Sequence, residues 1–147
     1  MRTYFLVKVK YEKTVEEGKI ASTSEIYLLD AISFTEAEKK IIEEMKPFIS
    51  GEFSVETLKR EKISELILNE SGEYWFKARV AFISLDEEKG IEKRTRVNMY
   101  IQADDMQAAK DSLTDHMKST LADYQLEKIE ETKIVDYYPF IPQASTD

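Results

Sequence analysis

The sequence contains no cysteine and only one histidine, and this scarcity excludes several kinds of site. Without cysteine the chain forms neither disulfides nor thiolate ligands, and one histidine is too few for the common zinc sites. A calcium or magnesium site made only of carboxylates stays open, but no D-x-D-x-D-G loop supports one. We therefore expect no metal site and no cofactor.

Glycine and proline are also rare, with 4 and 3 residues in a chain of 147. Hydrophobic residues make up 42% and charged residues 34%, which is typical of an ordered globular protein of one domain. Long apolar runs are missing as well, because Lys8 and Lys10 interrupt the apolar start of the chain. Such a start is too short and too charged for a signal peptide or a membrane-spanning helix. We expect a cytoplasmic protein that does not enter a membrane.

The chain has fewer basic than acidic residues. It contains 21 Lys and Arg and 29 Asp and Glu, which gives a formal net charge of −8. This balance favours solubility and repels a phosphate backbone at long range, although a local basic strip can override it. Nucleic acid is therefore disfavoured as a partner.

Motifs that would indicate a reaction are absent from the sequence. It has no glycine-rich phosphate loop, no G-x-S-x-G and no H-E-x-x-H, and each of these has a known catalytic role. His116 lies beside the apolar stripe of a predicted helix, and no serine or cysteine nucleophile can be assigned to it. We interpret His116 as a surface residue and expect no enzyme.

The chain repeats one pattern of elements at an offset of 71 to 72 residues. The segment "FSVETLKREKISE" from Phe53 aligns with "YQLEKIEETKIVD" from Tyr124, and "YFLVKVKY" from Tyr4 aligns with "WFKARVAF" from Trp75. Their apolar residues alternate, which predicts half-buried strands. Acidic turns with Gly18 and Gly90 at positive φ are expected to return the chain into a second strand in each half.

A helix is predicted in each half after the second strand. Ser33 and Asp105 are the expected N-caps, and Pro47 is expected to end the first helix soon after Met45. The apolar residues of both helices recur at helical spacing, so they should be largely buried while His116 is not. These residues are Phe34, Ile41, Met45, Met106, Leu113 and Met117.

The apolar register of the third strands changes between Val55 and Leu58 and between Leu126 and Ile129, which predicts a bulge in both halves. Each half thus reads as ββαβ with strand order 2-1-3 and a helix on one face. The predicted fold is α+β, a tandem duplication with pseudo-twofold symmetry. Two helices pack on a mostly antiparallel six-stranded sheet, or on two three-stranded sheets. Residues 1–147 form one domain with halves 1–70 and 73–140, and 141–147 form a flexible tail.

Several longer stretches resemble a bacterial family described as domain of unknown function 4494. They are "YFLVKVKYEKT", "LLDAISFTEAEKKIIEEMKPFISGEF", "YWFKARVAFISLDEEKG", "NMYIQADDMQAAKDSL" and "TKIVDYYPF". The resemblance covers nearly the whole chain and implies an origin in Bacteroides-type gut bacteria and their mobile elements. It implies no reaction, ligand or active-site residue.

Two basic stretches form a candidate surface for single-stranded nucleic acid. Sheets that present basic and aromatic side chains bind such strands by stacking and phosphate contacts, and the aromatics Tyr74 and Trp75 lie near the start of the second half. A mobile-element-associated nucleic-acid accessory protein is therefore the alternative function. The basic residues are Lys59, Arg60, Lys62, Lys93, Arg94 and Arg96.

Charged residues that recur in both halves allow two interpretations. The carboxylates could perform acid and base chemistry if they met at a dyad, as in a carboxylate-based enzyme. They could instead form cross-strand pairs with lysine on the exposed face of the third strands, which is the interpretation we favour. The pairs are Glu56 and Glu127, Lys62 and Lys133, and Glu65 and Asp136.

The second strands carry apolar residues that face away from the helix side, namely Ile26, Leu28 and Tyr100. Apolar residues on that face need a cover, and the second strands are less charged than the third strands. They are the candidate self-association surface of a homodimer. The favoured function is a non-catalytic binding, adaptor or self-associating module with a protein partner that the sequence does not identify.

Overall fold

The computed structural model describes residues 3–140, which form an α+β fold. These residues contain two helices, eight strands and one 3-10 turn at Glu16–Gly18. In chain order the elements are β1 (Thr3–Thr14), β2 (Ile20–Ala31), α1 (Phe34–Met45), β3 (Phe53–Glu61), β4 (Glu65–Ile67), β5 (Tyr74–Asp86), β6 (Ile91–Ala103), α2 (Met106–Met117), β7 (Asp123–Glu131) and β8 (Ile134–Tyr138).

The chain divides into two compact units that are not the two halves of the sequence. Unit 1 consists of Met1–Lys62 and Ile134–Asp147, and unit 2 of Ile63–Lys133. The third strand of each half is followed by a short strand, β4 or β8, that joins the sheet of the other half. Each unit therefore takes its fourth strand from the other half of the chain.

Each unit contains its own mixed four-stranded sheet, ordered β3-β1-β2-β8 in unit 1 and β4-β6-β5-β7 in unit 2. The predicted 2-1-3 order is confirmed within both sheets. The predicted six-stranded sheet is wrong, and the alternative of two three-stranded sheets missed the fourth strand, which is parallel to its neighbour in each case. The prediction missed these strands because β4 has 3 residues and β8 has 5, too few to show a period. The two halves of the sequence share one element order, β-β-α-β-β, and its origin in a duplication with pseudo-twofold symmetry stays a prediction.

One face of each sheet packs against its helix. In unit 1 the core consists of alternate residues of β1 and β2 with Ala37, Ile41 and Met45 of α1. In unit 2 alternate residues of β5 and β6 contact Ala109, Leu113 and Met117 of α2. The predicted stripes are confirmed there, and His116 is exposed as predicted.

Two residues of the predicted helix stripes depart from the expected burial. Phe34 is 45% exposed, and Met106 is only partly buried. Both are the first residue of their helix, where the side chain lies at the rim of the core. The ring of Phe34 contacts that of Phe5 edge-on, with centroids 5.0 Å apart.

The predicted turns, caps and bulges are present. Ser33 Oγ accepts a hydrogen bond from the backbone N–H of Glu36, and Asp105 Oδ1 from that of Ala108. α1 ends at Met45, two residues before Pro47. The turn glycines, Gly18 and Gly90, have φ of 74° and 64°.

Both third strands contain the predicted bulge. Lys8 pairs with Thr57 but Val9 with Val55, so Glu56 is the extra residue in β3. In β7 the extra residue is Glu127, between the partners of Arg79 and Val80. The carboxylates of both extra residues contact other strands of their own sheet.

Two further observations concern the ends of the chain and the membrane. Neither α1 nor α2, the two helices within residues 3–140, has the length and apolar character needed to span a bilayer. The predicted flexible tail, residues 141–147, lies outside the described residues.

Candidate functional site

A polar cluster lies on the helix-facing side of the sheet of unit 1. Tyr11 Oη and Tyr27 Oη donate hydrogen bonds to the two different carboxylate oxygens of Glu25. Strand periodicity places the three residues on one face, because Tyr27 follows Glu25 by two positions, and Glu25 is paired with Val9, two residues before Tyr11. We call Tyr11, Glu25 and Tyr27, together with Tyr138, the tyrosine–glutamate cluster.

Tyr138 of β8 completes the cluster. Its ring stacks on that of Tyr27, with centroids 5.6 Å apart and planes inclined by 22°. Burial raises the pKa of Tyr138 to about 12, and the negative charges of Asp136, Glu44 and Glu25 add to this increase. The pKa of Tyr27 is raised further, by burial first and then by its hydrogen bond to Glu25. The phenols stay protonated and act as donors to the carboxylate over the physiological range.

Unit 2 has no such cluster at the aligned positions. The residues there are Phe82 for Tyr11, Val97 for Glu25, Met99 for Tyr27 and Ile67 for Tyr138. All four are apolar and belong to, or pack against, the core of unit 2. Packing of the core accounts for an apolar residue at each of these positions but not for a carboxylate, so the two units differ in chemistry here.

The first half of β2 lies beside this cluster and lacks a neighbour on one side. β8 pairs with β2 only from Ile26 to Leu29. Within residues 3–140 no strand pairs with Ile20–Glu25 on the side away from β1. Alternate backbone N–H and C=O groups of these residues therefore point away from the sheet. We call Ile20–Glu25 the open edge; five of its six residues are uncharged, and Glu25 is the last.

The equivalent edge of unit 2 differs in charge. β4 pairs with Met99, Tyr100 and Ile101 of β6, and the backbone N–H of Ser64 donates to Asn98 O at 2.8 Å. The remaining segment, Ile91–Val97, carries Glu92, Lys93, Arg94 and Arg96. Charged side chains on an edge strand oppose pairing with another chain. The edge of unit 1 lacks this protection, since Ser22 and Ser24 align with Arg94 and Arg96.

The basic residues predicted to bind nucleic acid are divided between the two units. Arg94 Nη1 donates to Gln125 Oε1 at 2.9 Å, and Arg96 Nε donates to Glu127 Oε1 at 2.7 Å. The guanidinium of Arg60 lies 5.0 Å from the ring centroid of Phe34. The three remaining residues of the predicted surface, Lys59, Lys62 and Lys93, are exposed.

The aromatic residues expected beside this basic surface are not equally accessible. Trp75 is only 2% exposed, whereas Tyr74 is 47% exposed. The indole of Trp75 is therefore not available for stacking on a base.

The surface predicted for self-association is not exposed. Leu28 and Tyr100 are buried within the chain, at 0% and 1% exposure, and Ile26 is partly buried. Strand alternation shows that these residues face away from the helices but does not show what covers that face. They need no second copy of the chain to remove them from water.

The recurring carboxylates form separate local contacts. Glu56 Oε2 lies 3.9 Å from Lys8 Nζ on the neighbouring strand and accepts a hydrogen bond from Ser24 Oγ at 3.3 Å. Glu65 Oε2 is 3.8 Å from His116 Nε2, and Asp136 accepts from the N–H of Tyr137. The favoured cross-strand pairing is confirmed for Glu56 and Lys8. Across residues 3–140, no set of three carboxylate or histidine side chains is placed to hold a metal ion.

Sequence reasoning missed both the tyrosine–glutamate cluster and the open edge. Glu25 carried a signal, because it stands at a core-facing position where the aligned residue, Val97, is apolar. The open edge carried none, because it exists only where β8 stops pairing with β2.

Comparison with known proteins identifies a family but no activity. No curated protein and no solved structure matches the chain. A family model described as "Domain of unknown function (DUF4494)" matches residues 3–140, which are nearly the whole chain. The chain belongs to this family of domains of unknown function.

Proposed function

We propose that the protein is a non-catalytic binding module that takes up an extended segment of a partner polypeptide at the open edge. The observation that carries this proposal is the difference between the two edges. Ile20–Ser24 are unpaired on one side and uncharged, whereas the aligned edge of β6 carries four charged residues. An uncharged edge with unpaired backbone groups is a template for an added strand.

β8 supports the proposal because it already pairs with β2 on the side where the added segment would lie. It pairs in parallel with Ile26–Leu29, directly beyond the open edge. A segment added at Ile20–Glu25 would lie in line with β8 and exchange main-chain hydrogen bonds with β2. Backbone hydrogen bonds supply affinity in such complexes, and the alternate side chains supply specificity.

The proposed role is that of an adaptor, and we place it in the cytoplasm. The carboxylate of Glu25 is held by two phenols, and Glu56 and Glu127 pair with groups on other strands of their own sheets. The alternative, binding of single-stranded nucleic acid, draws less support. Two of its arginines, Arg94 and Arg96, are paired with the carboxylate of Glu127, and Trp75 is buried.

The double variant S22R/S24R tests the proposed function, because it gives the open edge the arginines of the β6 edge. Wild type and variant are screened against an array of short extended peptides of all charge types. We expect the wild type to bind a subset of them and to show slowed hydrogen exchange at Ile20–Glu25, and we expect the variant to lose both effects.

The matched control is T57R, which places an arginine at an exposed position of β3 in the same unit. It should bind the same peptides as the wild type. If no peptide binds, or if S22R/S24R binds as well as the wild type, the proposed function is wrong.

A further inference from the structure

We infer that the segment added at the open edge carries a lysine or arginine that Glu25 receives. This inference rests on the proposed function and specifies the chemistry of the partner. Glu25 is the last residue of the open edge, and the next residue, Ile26, is the first that pairs with β8. The side chain lies on the helix-facing side, as its contacts with Tyr11 and Tyr27 show.

The two phenols leave Glu25 part of its hydrogen-bonding capacity. A carboxylate offers about four acceptor sites, and the two phenols use one on each oxygen. Both donors are neutral, so they orient the carboxylate without cancelling its charge. Among residues 3–140 no lysine or arginine lies within ion-pair distance of Glu25.

Two further carboxylates act on the cluster. Glu44 of α1 and Asp136 of β8 act with Glu25 on the phenol of Tyr138. Lys40 of α1 lies in the same unit, but its Nζ donates to the carbonyl oxygens of Asp30 and Pro139. The end of the open edge therefore combines negative charge with the partly buried ring of Tyr138, and both attract a cation.

An added strand would place a side chain beside Glu25. Residues of an extended segment alternate between the two faces of the sheet, so every second side chain lies on the face of Glu25. A lysine or arginine there reaches a carboxylate on the neighbouring strand, as cross-strand pairs of opposite charge do. The formal net charge of −8 favours the approach of a basic segment.

A second copy of the chain fits less well. Antiparallel pairing of two open edges brings a Glu25 from each copy to the contact, and Ile20–Ser24 are uncharged. The nearest lysine, Lys19, lies just outside the edge and is 4.0 Å from Glu17 Oε2. Two chains of charge −8 also repel each other at long range. The partner that matches the edge is a different, basic polypeptide.

Three synthetic peptides test the inference. One alternates threonine with lysine over about ten residues, and its twins carry glutamate or serine in place of lysine. Binding is measured by fluorescence anisotropy at low and high salt. We expect the lysine peptide to bind about tenfold tighter than the serine twin, the glutamate twin to bind least, and salt to reduce the difference.

The variant E25Q keeps the shape and the acceptor oxygen of Glu25 but removes the charge. It should bind the lysine and serine peptides equally, while the control E12Q, at an exposed position of β1, should behave as the wild type. Circular dichroism confirms that both variants fold. If E25Q is misfolded, the three peptides compared on the wild-type protein decide the question.

The outcomes separate this inference from the proposed function. If all three peptides bind equally and S22R/S24R abolishes binding, the edge takes up strands but the preference for a basic segment is wrong. If no peptide binds and light scattering shows a dimer that S22R/S24R dissociates, the occupant is a second copy, and both proposals are overturned. Binding of the lysine peptide that E25Q reduces and S22R/S24R abolishes supports both.

Discussion

Arg96 on β6 donates a hydrogen bond of 2.7 Å from Nε to Oε1 of Glu127 on β7, across the intervening strand β5. Glu127 is the extra residue of its bulge, and Arg94 Nη1 lies 3.3 Å from its second oxygen. In unit 1 the aligned bulge residue, Glu56, accepts a hydrogen bond from Ser24, again across one strand. A bulged glutamate thus contacts the strand beyond its neighbour in each sheet.

This contact predicts a stability difference that depends on pH. The hydrogen bond from Arg96 holds the pKa of Glu127 below its ordinary value of 4.5, and the charges of Arg96 and Arg94 act in the same direction. A lowered pKa stabilises the folded state above pH 4.5, and this contribution is lost as the pH falls through the folded-state pKa. We expect Glu127→Gln to be less stable than the wild type at pH 7, and we expect this difference to shrink as the pH falls below 4.5.

Urea denaturation at a series of pH values measures this difference in the free energy of unfolding. Glu87→Gln removes an exposed carboxylate from the β5–β6 turn and serves as the control, with little effect at any pH. A destabilisation by Glu127→Gln that is the same at pH 7 and pH 3 would show that the charge of Glu127 does not contribute.

Tyr138 predicts a loss of stability in alkaline solution. Its pKa is about 12 in the folded protein against 10.0 for an ordinary tyrosine. Between these two pH values the unfolded chain releases the proton while the folded chain keeps it, so stability falls as the pH rises. In Tyr138→Phe we expect a smaller fall, which is not abolished because Tyr27 also has a raised pKa. Equal falls in wild type and variant, measured by denaturation at pH 10 to 12, would contradict this assignment.

Gly72 predicts a steric effect in the loop between β4 and β5. A Cβ at this position would lie 2.7 Å from the backbone N and Cα of Ala103 on β6, far inside normal contact distance. We expect Gly72→Ala to lower the free energy of unfolding by about 2 to 3 kcal/mol. Gly51→Ala is the matched control, because a Cβ there meets nothing within 4 Å. Similar urea midpoints for the two variants would show that the loop shifts to accommodate the added methyl group at little cost in stability.

Two residues of α1 test how strongly burial determines the stability that is lost when a side chain is replaced by alanine. Ile41 is fully buried, whereas Phe34 is 45% exposed. We expect Ile41→Ala to cost about 3 kcal/mol and Phe34→Ala, despite its larger side chain, about 1 to 2 kcal/mol. Denaturation of both variants in the same buffer checks the order. A larger loss for Phe34→Ala would mean that its contacts with Phe5 and Arg60 outweigh the burial of Ile41.

The sequence by itself determined the elements whose causes are local. Alternation in "YFLVKVKY" and "WFKARVAF" predicts β1 and β5, helical spacing predicts α1 and α2, and Ser33 and Asp105 mark where the helices begin. The shift of the apolar pattern around Glu56 and Glu127 predicts both bulges. These features follow from side-chain period and backbone chemistry within a few residues, so they could be read without a partner strand.

Tertiary structure alone decided where β4 and β8 pair, which residues on the sheet faces away from the helices are buried, and where the edge of a sheet stays unpaired. β4 and β8 are too short to carry a period, and they pair with strands far away in the sequence. The burial of Leu28 and Tyr100 likewise depends on what covers a face, which alternation does not encode. The candidate site followed the same rule, because Tyr11, Glu25 and Tyr138 lie on three strands. Their proximity depends on strand order and register, which only long-range backbone pairing sets.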